Sequence, residues 1–312
     1  MVGFFKSIYQ DYKRKEIKEE KVCFFDNTNQ YILFSGTALN QTGDKRHLND
    51  LYFFLYLLIY YKVDKSSISL VVDIDIIEEL KINPPYKEIA LLIEKNVAQI
   101  IDIISFQDVF ERDKKKNLIF LASGHGDING LYIGKNNSYL TSDYFENSAT
   151  YKSKTILIMT QCFAGAFHHL DTRKNLCVLG ASEYQESLSI PINKLLIENI
   201  HSEALQNFVL NSLAFNQNIP INPFMFALFT TLINKDNLKT DNKHFINIYK
   251  STTALTLQYL KRTVQVLKID AVVEPKEDGE KTEIIFDRNT LIQQPYLLNK
   301  IVAARLYVCE EK

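Results

Sequence analysis

The sequence contains few cysteines, and no two of them lie close together in the chain. Its four cysteines are Cys23, Cys162, Cys177 and Cys309, without a CxxC pair. A disulfide framework or a cysteine-rich zinc site is therefore not expected, and a reducing compartment fits the pattern. We interpret Cys23, Cys177 and Cys309 as inert core thiols, because a cysteine among apolar neighbours behaves as a small apolar residue.

Long apolar segments and an excess of either charge are also missing. The longest apolar run, Leu51–Tyr61, has about half the length of a membrane span, and the apolar patch near the start is too short for the core of a signal peptide. A net charge of −1 provides no general attraction for nucleic acid or anionic membranes. We expect a cytoplasmic protein, or an exported effector without a secretory signal, that neither binds nucleic acid nor inserts stably into a membrane.

Motifs for cofactors and metals are absent too. There is no GxGxxG and no GxxxxGK[ST] pattern, so no phosphate-binding loop is indicated. His168 and His169 are adjacent, and adjacent side chains on a helix point in different directions, which argues against a shared metal ion. We predict no cofactor and no metal.

Short apolar runs alternate with helical patterns along most of the chain. The strands are predicted at residues 31–36, 68–73, 118–122, 155–159 and 176–181, with late candidates at 284–286 and 304–309. The helices are predicted at 48–62, 86–110, 141–147, 193–215, 223–233 and 245–266. This alternation predicts an α/β domain: a mostly parallel sheet of about six strands, helices on both faces, and helical additions at the C-terminal side. We assign residues 1–27 to an N-terminal extension and 28–312 to one domain, with a core at 30–235 and a helical and late-strand part at 236–312.

Two of the predicted strands end in residues that can carry chemistry. Leu118–Ala122 is followed by Ser-Gly-His-Gly, and Thr155–Met159 is followed by Thr-Gln-Cys-Phe-Ala-Gly. In open parallel sheets, functional residues lie outside the carboxyl ends of the strands. His125 and Cys162 should therefore meet at one edge of the sheet, where an imidazole and a thiol can form a base–nucleophile pair.

The residues around this pair favour catalysis. The glycines on both sides of His125 allow a sharp turn and close approach to a ligand. A thiol at a strand-to-helix turn meets oriented N–H groups, which favour the thiolate. The backbone N–H groups of Gly126 and Cys162 are the predicted oxyanion hole.

The order and spacing of these motifs resemble the caspase–legumain clan of cysteine peptidases. His125 lies 37 residues before Cys162, and Gln161 directly precedes the cysteine, which is closer to legumain-like and glycosylphosphatidylinositol-transamidase-like enzymes than to caspases. The run Asp44-Lys45-Arg46-His47, followed by Asp50, resembles the legumain pattern Asn-Tyr-Arg-His…Asp. The run Glu186-Ser187-Leu188-Ser189 resembles the legumain Glu-Ser-Ser-Tyr. The resemblance covers about residues 30–190 and implies a caspase-like three-layer sandwich.

The resemblance also implies roles for individual residues. Asp44 matches the asparagine that orients the catalytic histidine in legumains. Arg46 matches a residue of the P1 pocket, which would favour Asn or Asp at P1, and Ser187 would line the same pocket. Asp50 matches an acidic pocket residue of metacaspases, which would favour a basic P1 instead.

The expected activity is peptide-bond hydrolysis by a cysteine endopeptidase. Cys162 attacks the scissile carbonyl carbon, and His125 transfers the proton to the leaving amine. Two alternatives stay open: a transamidase or ligase that uses the same acyl-enzyme, and an inactive caspase-like module that binds a partner. The expected partners are a protein or peptide substrate and, beyond it, a regulatory protein or a second copy of the chain.

Overall fold

A seven-stranded sheet forms the centre of the protein. The computed structural model describes residues 22–36, 45–82, 87–106, 117–133, 138–147, 154–172, 176–184, 187, 189–191, 197, 203, 206–207, 209, 220–234, 245–267, 272–275, 281–284, 295–297 and 306–307. The strands of the sheet are β1 (Asn29–Ser35), β2 (Ile68–Val72), β3 (Gln99–Asp102), β4 (Asn117–Ser123), β5 (Thr155–Met159), β6 (Leu176–Gly180) and β7 (Tyr296–Leu297). Their order across the sheet is β7-β6-β5-β4-β1-β2-β3.

The first six strands are parallel, and only β7 runs antiparallel, against β6. The helices of the described part are α1 (Lys45–Tyr60), α2 (Ile74–Ile82), α3 (Lys87–Asn96), α4 (Ser142–Asn147), α5 (Pro223–Ile233) and α6 (Phe245–Leu267). They cover both faces of the sheet, and α6 lies in the expected helical part at the C-terminal side. The expected fold class, an α/β caspase-like three-layer sandwich, is confirmed.

The two faces of the sheet pack into separate apolar clusters. In β4, Ile119 and Leu121 belong to the cluster that contains α1 and α5, whereas Leu118 and Phe120 face α4 and the 3₁₀ segment Ala164–Thr172. Alternate side chains of a strand point to opposite faces, so a strand covered on both sides is apolar throughout. This is why the central strands appear in the sequence as short unbroken apolar runs.

Helix α5 lies fully inside the protein. Every side chain of Pro223–Ile233 is buried, and Phe226 and Phe229 pack against Phe53 of α1. Thr230, at a helix position that cannot reach water, donates its hydroxyl proton to the carbonyl oxygen of Phe226 at 2.8 Å. The C-terminal part of the chain is therefore built into one of the two apolar clusters.

The prediction of one long helix over residues 86–110 is wrong in its second half. Helix α3 ends at Asn96, and Gln99–Asp102 forms β3, paired in parallel with β2 from Ser69 to Val72. The short run Gln-Ile-Ile-Asp carries no clear period, so only pairing with β2 at the end of the sheet selects the strand. A 3₁₀ turn, Ile103–Ser105, follows.

Several smaller elements complete the described part. A small three-stranded antiparallel sheet consists of Gly126–Asp127, Gly130–Tyr132 and Tyr139–Leu140. Val22–Cys23 pairs with Leu306–Tyr307, and Val272–Pro275 pairs with Lys281–Ile284. The predicted helix 193–215 lies mostly outside the described residues, and so do residues 1–21 of the predicted extension 1–27.

The cysteines differ from the expectation at one position. Cys23 is disulfide-bonded, so its interpretation as an inert core thiol is wrong. Cys162 and Cys177 are not disulfide-bonded. Widely spaced cysteines in a sequence do not exclude a bridge, because the fold decides which chain segments meet.

Candidate active site

The carboxyl ends of β4 and β5 place the two predicted catalytic loops side by side. The strands are parallel neighbours, with Ala122 opposite Met159. His125 follows β4 after one glycine, and Cys162 is the third residue after β5. Both side chains are half-buried, neither sealed in the core nor fully in solvent. The structure therefore brings His125 and Cys162 to one edge of the sheet, as the sequence predicted.

Gly126 makes the contact between these loops. A Cβ atom at this position would overlap the carbonyl oxygen of Cys162 and would lie 2.6 Å from Cγ of Gln161. Real Cβ atoms do not approach other atoms so closely, so the loops meet at this distance only because residue 126 is glycine. The predicted oxyanion donors, Gly126 and Cys162, are thus neighbours across the contact.

The sulfur of Cys162 lies beside a backbone donor. The N–H of Ser187 donates to Sγ at 3.2 Å, and Sγ lies 3.6 Å from the carbonyl oxygen of the same residue. Phe163, next in the chain, has a left-handed backbone with φ of 52°. Such a conformation costs about 1–3 kcal/mol in a residue other than glycine and is concentrated at functional sites. A 3₁₀ segment, rather than an α-helix, begins after this turn at Ala164.

A second histidine lies next to His125. His47 is in the first turn of α1 and is 7% exposed; its ring centroid is 5.0 Å from that of His125, with the ring planes at 75°. Nδ1 of His47 is 3.3 Å from Oγ of Ser123, the last residue of β4. Ser123 in turn donates its hydroxyl proton to Oδ2 of Asp50 at 2.7 Å.

Asp50 lies beneath the edge of the sheet. Its side chain is 2% exposed, its Oδ1 accepts the backbone N–H of Asn222 at 2.9 Å, and its Oδ2 accepts the hydroxyl of Ser123. Oγ1 of Thr160 lies 3.5 Å from Oδ2 and donates to the carbonyl oxygen of Ala122 at 3.0 Å. Both oxygens of Asp50 therefore take part in hydrogen bonds inside the protein.

Asn222, the N-cap of α5, holds this region together. Its Oδ1 accepts the N–H of Phe224 at 2.9 Å, and its Nδ2 donates to the carbonyl oxygen of Thr160 at 3.0 Å and to Oγ of Ser187. One side chain thus joins the start of α5 to the segments before and beside Cys162.

We expect Asn222→Ala to lower the free energy of unfolding by about 2–4 kcal/mol, because it removes a helix cap and leaves the buried carbonyl of Thr160 without this donor. Asn222→Ser is the control, since a serine keeps the capping oxygen but cannot reach Thr160; it should lose about half as much. Urea unfolding followed by circular dichroism measures both. Equal stability of the alanine variant and the wild type would contradict this assignment.

The structure describes the other predicted site residues to different extents. Ser187 lies at Cys162, as described above. Asp44 is outside the described residues, and of Arg46, in the first turn of α1, only the backbone is described. The roles that the resemblance implies for these two residues stay predictions.

Three residues of the site were not found from the sequence. They are His47, Ser123 and Asn222. His47 and Asp50 are three residues apart in one helix and therefore share a face, which was a usable signal. Asn222 offered only the pattern of a cap before Pro223, which indicates a helix start and not a site.

Comparisons with known proteins add no family. No protein-family model matches the chain, and no curated protein matches it. No helix in the described ranges has the length and apolar character needed to cross a membrane. Within the same ranges, no three His, Cys, Asp or Glu side chains are grouped as metal ligands would be. A functional proposal for this chain therefore rests on the fold and on the geometry at the carboxyl ends of β4 and β5 alone.

Proposed function

We propose that the protein is a cysteine endopeptidase that uses Cys162 and His125. The observation that carries this proposal is the contact of Gly126 with the carbonyl of Cys162, because it holds a half-buried imidazole loop against a half-buried thiol loop. Buried cysteines elsewhere in a core are inert, whereas a thiol at a loop beside an imidazole can be activated.

The mechanism follows from the groups at this edge. His125 accepts the proton of the thiol, and the thiolate of Cys162 attacks the scissile carbonyl carbon to form a tetrahedral intermediate. The backbone N–H groups of Gly126 and Cys162 stabilise its oxyanion. His125 then protonates the leaving amine, and water hydrolyses the acyl-enzyme with the same histidine as base.

The N–H of Ser187 supports the first step. At 3.2 Å from Sγ it donates a hydrogen bond that a thiolate accepts better than a thiol does. The same residue is the one that the legumain resemblance places in the P1 pocket. Ser187 therefore connects the nucleophile to the part of the site that receives the substrate.

The geometry around Asp50 argues against selection of a basic P1 residue by this carboxylate. A carboxylate selects Lys or Arg when it faces the bound side chain, but Asp50 is buried and accepts hydrogen bonds from Ser123 and Asn222. Arg46, in the first turn of α1, is the residue through which we propose that the P1 side chain is recognised.

Peptidyl acyloxymethyl ketones test the nucleophile and the P1 preference together. We expect a probe with Asp at P1 to label Cys162 at least about tenfold faster than the matched probe with Lys, which corresponds to about 1.4 kcal/mol of discrimination. Intact mass and peptide mapping identify the labelled residue, and the buried thiol of Cys177 is the internal control. Labelling of Cys177 alone would refute the assignment of the nucleophile, and faster labelling by the Lys probe would refute the P1 preference.

A further inference from the structure

The second histidine, His47, is the feature that the proposed mechanism does not use. It is the only described histidine ring in contact with His125. It also lies at one end of a buried chain of polar groups that runs through Ser123 to Asp50. Asp50 is in α1, like His47, and Ser123 is the last residue of β4, two residues before His125.

The direction of these hydrogen bonds determines where one proton is. A serine hydroxyl has one proton to donate and can accept with its lone pairs. Oγ of Ser123 is 2.7 Å from Oδ2 of Asp50, and the other oxygen of this carboxylate accepts the N–H of Asn222. The hydroxyl proton of Ser123 therefore points to Asp50. Oγ of Ser123 can then only accept from the nitrogen 3.3 Å away, so Nδ1 of His47 carries a proton.

The consequence for His47 is one tautomer and one ring orientation. A ring held at Nδ1 cannot rotate freely, and His47 is almost fully buried. The ring of His125 packs against it at 75°, edge to face. A fixed neighbour of this kind limits the orientations that the ring of His125 can adopt.

We propose that His47 is a positioning residue for His125, and that Asp50 and Ser123 act through it. This inference rests on the proposed function, since it assumes that His125 transfers the proton. In this arrangement Asp50 orients the histidine and does not select the substrate. Its carboxylate acts on His125 through the hydroxyl of Ser123 and the imidazole of His47, whereas in a catalytic triad the carboxylate contacts the catalytic histidine directly.

Two substitutions at His47 separate the ring contact from the hydrogen bond. His47→Phe keeps a ring against His125 but removes the donor to Ser123. His47→Asn keeps a donor close to the position of Nδ1 but removes the ring. We expect kcat to fall about tenfold in the first and about a hundredfold in the second, the scale on which a misplacement of about 1 Å acts, with KM within about twofold of the wild type in both.

Ser123→Ala interrupts the hydrogen bonds that connect His47 to Asp50. It should lower kcat about tenfold by releasing the ring of His47, again with little change in KM. The control is Ser67→Ala, which removes a buried hydroxyl hydrogen-bonded to the carbonyl oxygen of Asn27 at the opposite edge of the sheet. Its kcat should be unchanged. The proposal would be overturned if kcat of Ser123→Ala and of both His47 variants stayed within about threefold of the wild type. It would also be overturned if these variants raised KM and left kcat unchanged.

The tautomer of His47 gives a readout that needs no turnover. Nitrogen-15 spectra of protein with labelled histidine report which ring nitrogen of each of the six histidines carries the proton. We expect the His47 signals to show a proton on Nδ1 in the wild type and a mixture of tautomers in Ser123→Ala. A proton only on Nε2 in the wild type would overturn the proposal even if the protein hydrolyses peptides. If no peptide is cleaved, the rate at which iodoacetamide alkylates Cys162 is measured instead, and the variants should rank in the same order. The peptidase proposal and the proposal for His47 can therefore fail separately.

Discussion

Cys162→Ala should abolish peptide hydrolysis, with kcat/KM at least about 10⁴-fold below that of the wild type. The substitution removes the only described thiol at this edge of the sheet, and with it the proposed nucleophile. His125→Ala should be almost as severe, because nucleophile and base act as a unit and their effects do not add. Hydrolysis of a fluorogenic peptide by each purified variant measures the loss.

The matched control for this prediction is Cys177→Ala. Cys177 lies on β6, fully buried, and burial raises the pKa of its thiol, so it stays protonated and unreactive. Its replacement should leave kcat/KM within about twofold of the wild type. Full activity of Cys162→Ala, with a melting curve like that of the wild type, would remove the basis of the peptidase assignment.

The products formed by the wild-type protein distinguish hydrolysis of the acyl-enzyme from transfer of the acyl group. A transamidase or ligase forms the same acyl-enzyme on Cys162 but passes the acyl group to an amine. Mass spectrometry of the products, with and without an added amine nucleophile, separates the two. We expect the carboxylic acid to be the main product in both conditions, as in an endopeptidase.

Gly126→Ala has the next largest expected effect, equal to that of His47→Asn. The new Cβ would overlap the carbonyl oxygen of Cys162 and crowd Cγ of Gln161, so the two loops must separate. We expect kcat to fall about a hundredfold, because a displacement of about 1 Å between imidazole and thiol has this effect on a reaction that depends on orientation. Overpacking of this kind also costs about 1–3 kcal/mol of stability. Steady-state kinetics and thermal melting of the same preparation report both effects.

Gly130→Ala is the control for the loss of stability. A Cβ at Gly130 would lie 2.5 Å from the carbonyl oxygen of Leu140, and φ of this residue is +135°, so the change is at least as strained. The atoms nearest to this Cβ belong to Leu140 and Thr141, which are not part of the Cys162 loop. We expect similar destabilisation of both variants but a much smaller loss of kcat in Gly130→Ala. A kcat for Gly126→Ala within about threefold of the wild type would show that the contact between the loops is not needed for activity.

The strands of the sheet were predictable because they are buried on both faces. Thr155–Met159 was predicted with both ends correct, and Asn117–Ser123 differs by one residue at each end. A buried parallel strand has no polar face, so its apolar run ends where burial ends. At the end of the sheet this signal disappears. Gln99–Asp102 has only one buried residue, Ile101, and it was assigned to a helix.

The location of His125 and Cys162 at one edge of the sheet was predictable for a related reason. Each residue follows a buried strand, and parallel neighbouring strands present their carboxyl ends at the same edge. His47 was not predictable as a partner of His125. The two residues are far apart in the chain, and their contact depends on how α1 lies across the ends of β4 and β1.

By itself, the sequence determined the class of fold and the two loops that carry the thiol and the imidazole, because burial and strand ends leave local patterns in a chain. Only the tertiary structure decided that Gly126 joins these loops, that Asp50 is hydrogen-bonded below the site, and that Asn222 reaches Thr160 from the C-terminal half. The physical reason is that hydrogen bonds and ring contacts between distant segments depend on distances of a few tenths of an ångström. Such distances are set by the packing of whole helices on the sheet. Many residues each contribute a little to this packing, and no single residue leaves a recognisable pattern in the sequence.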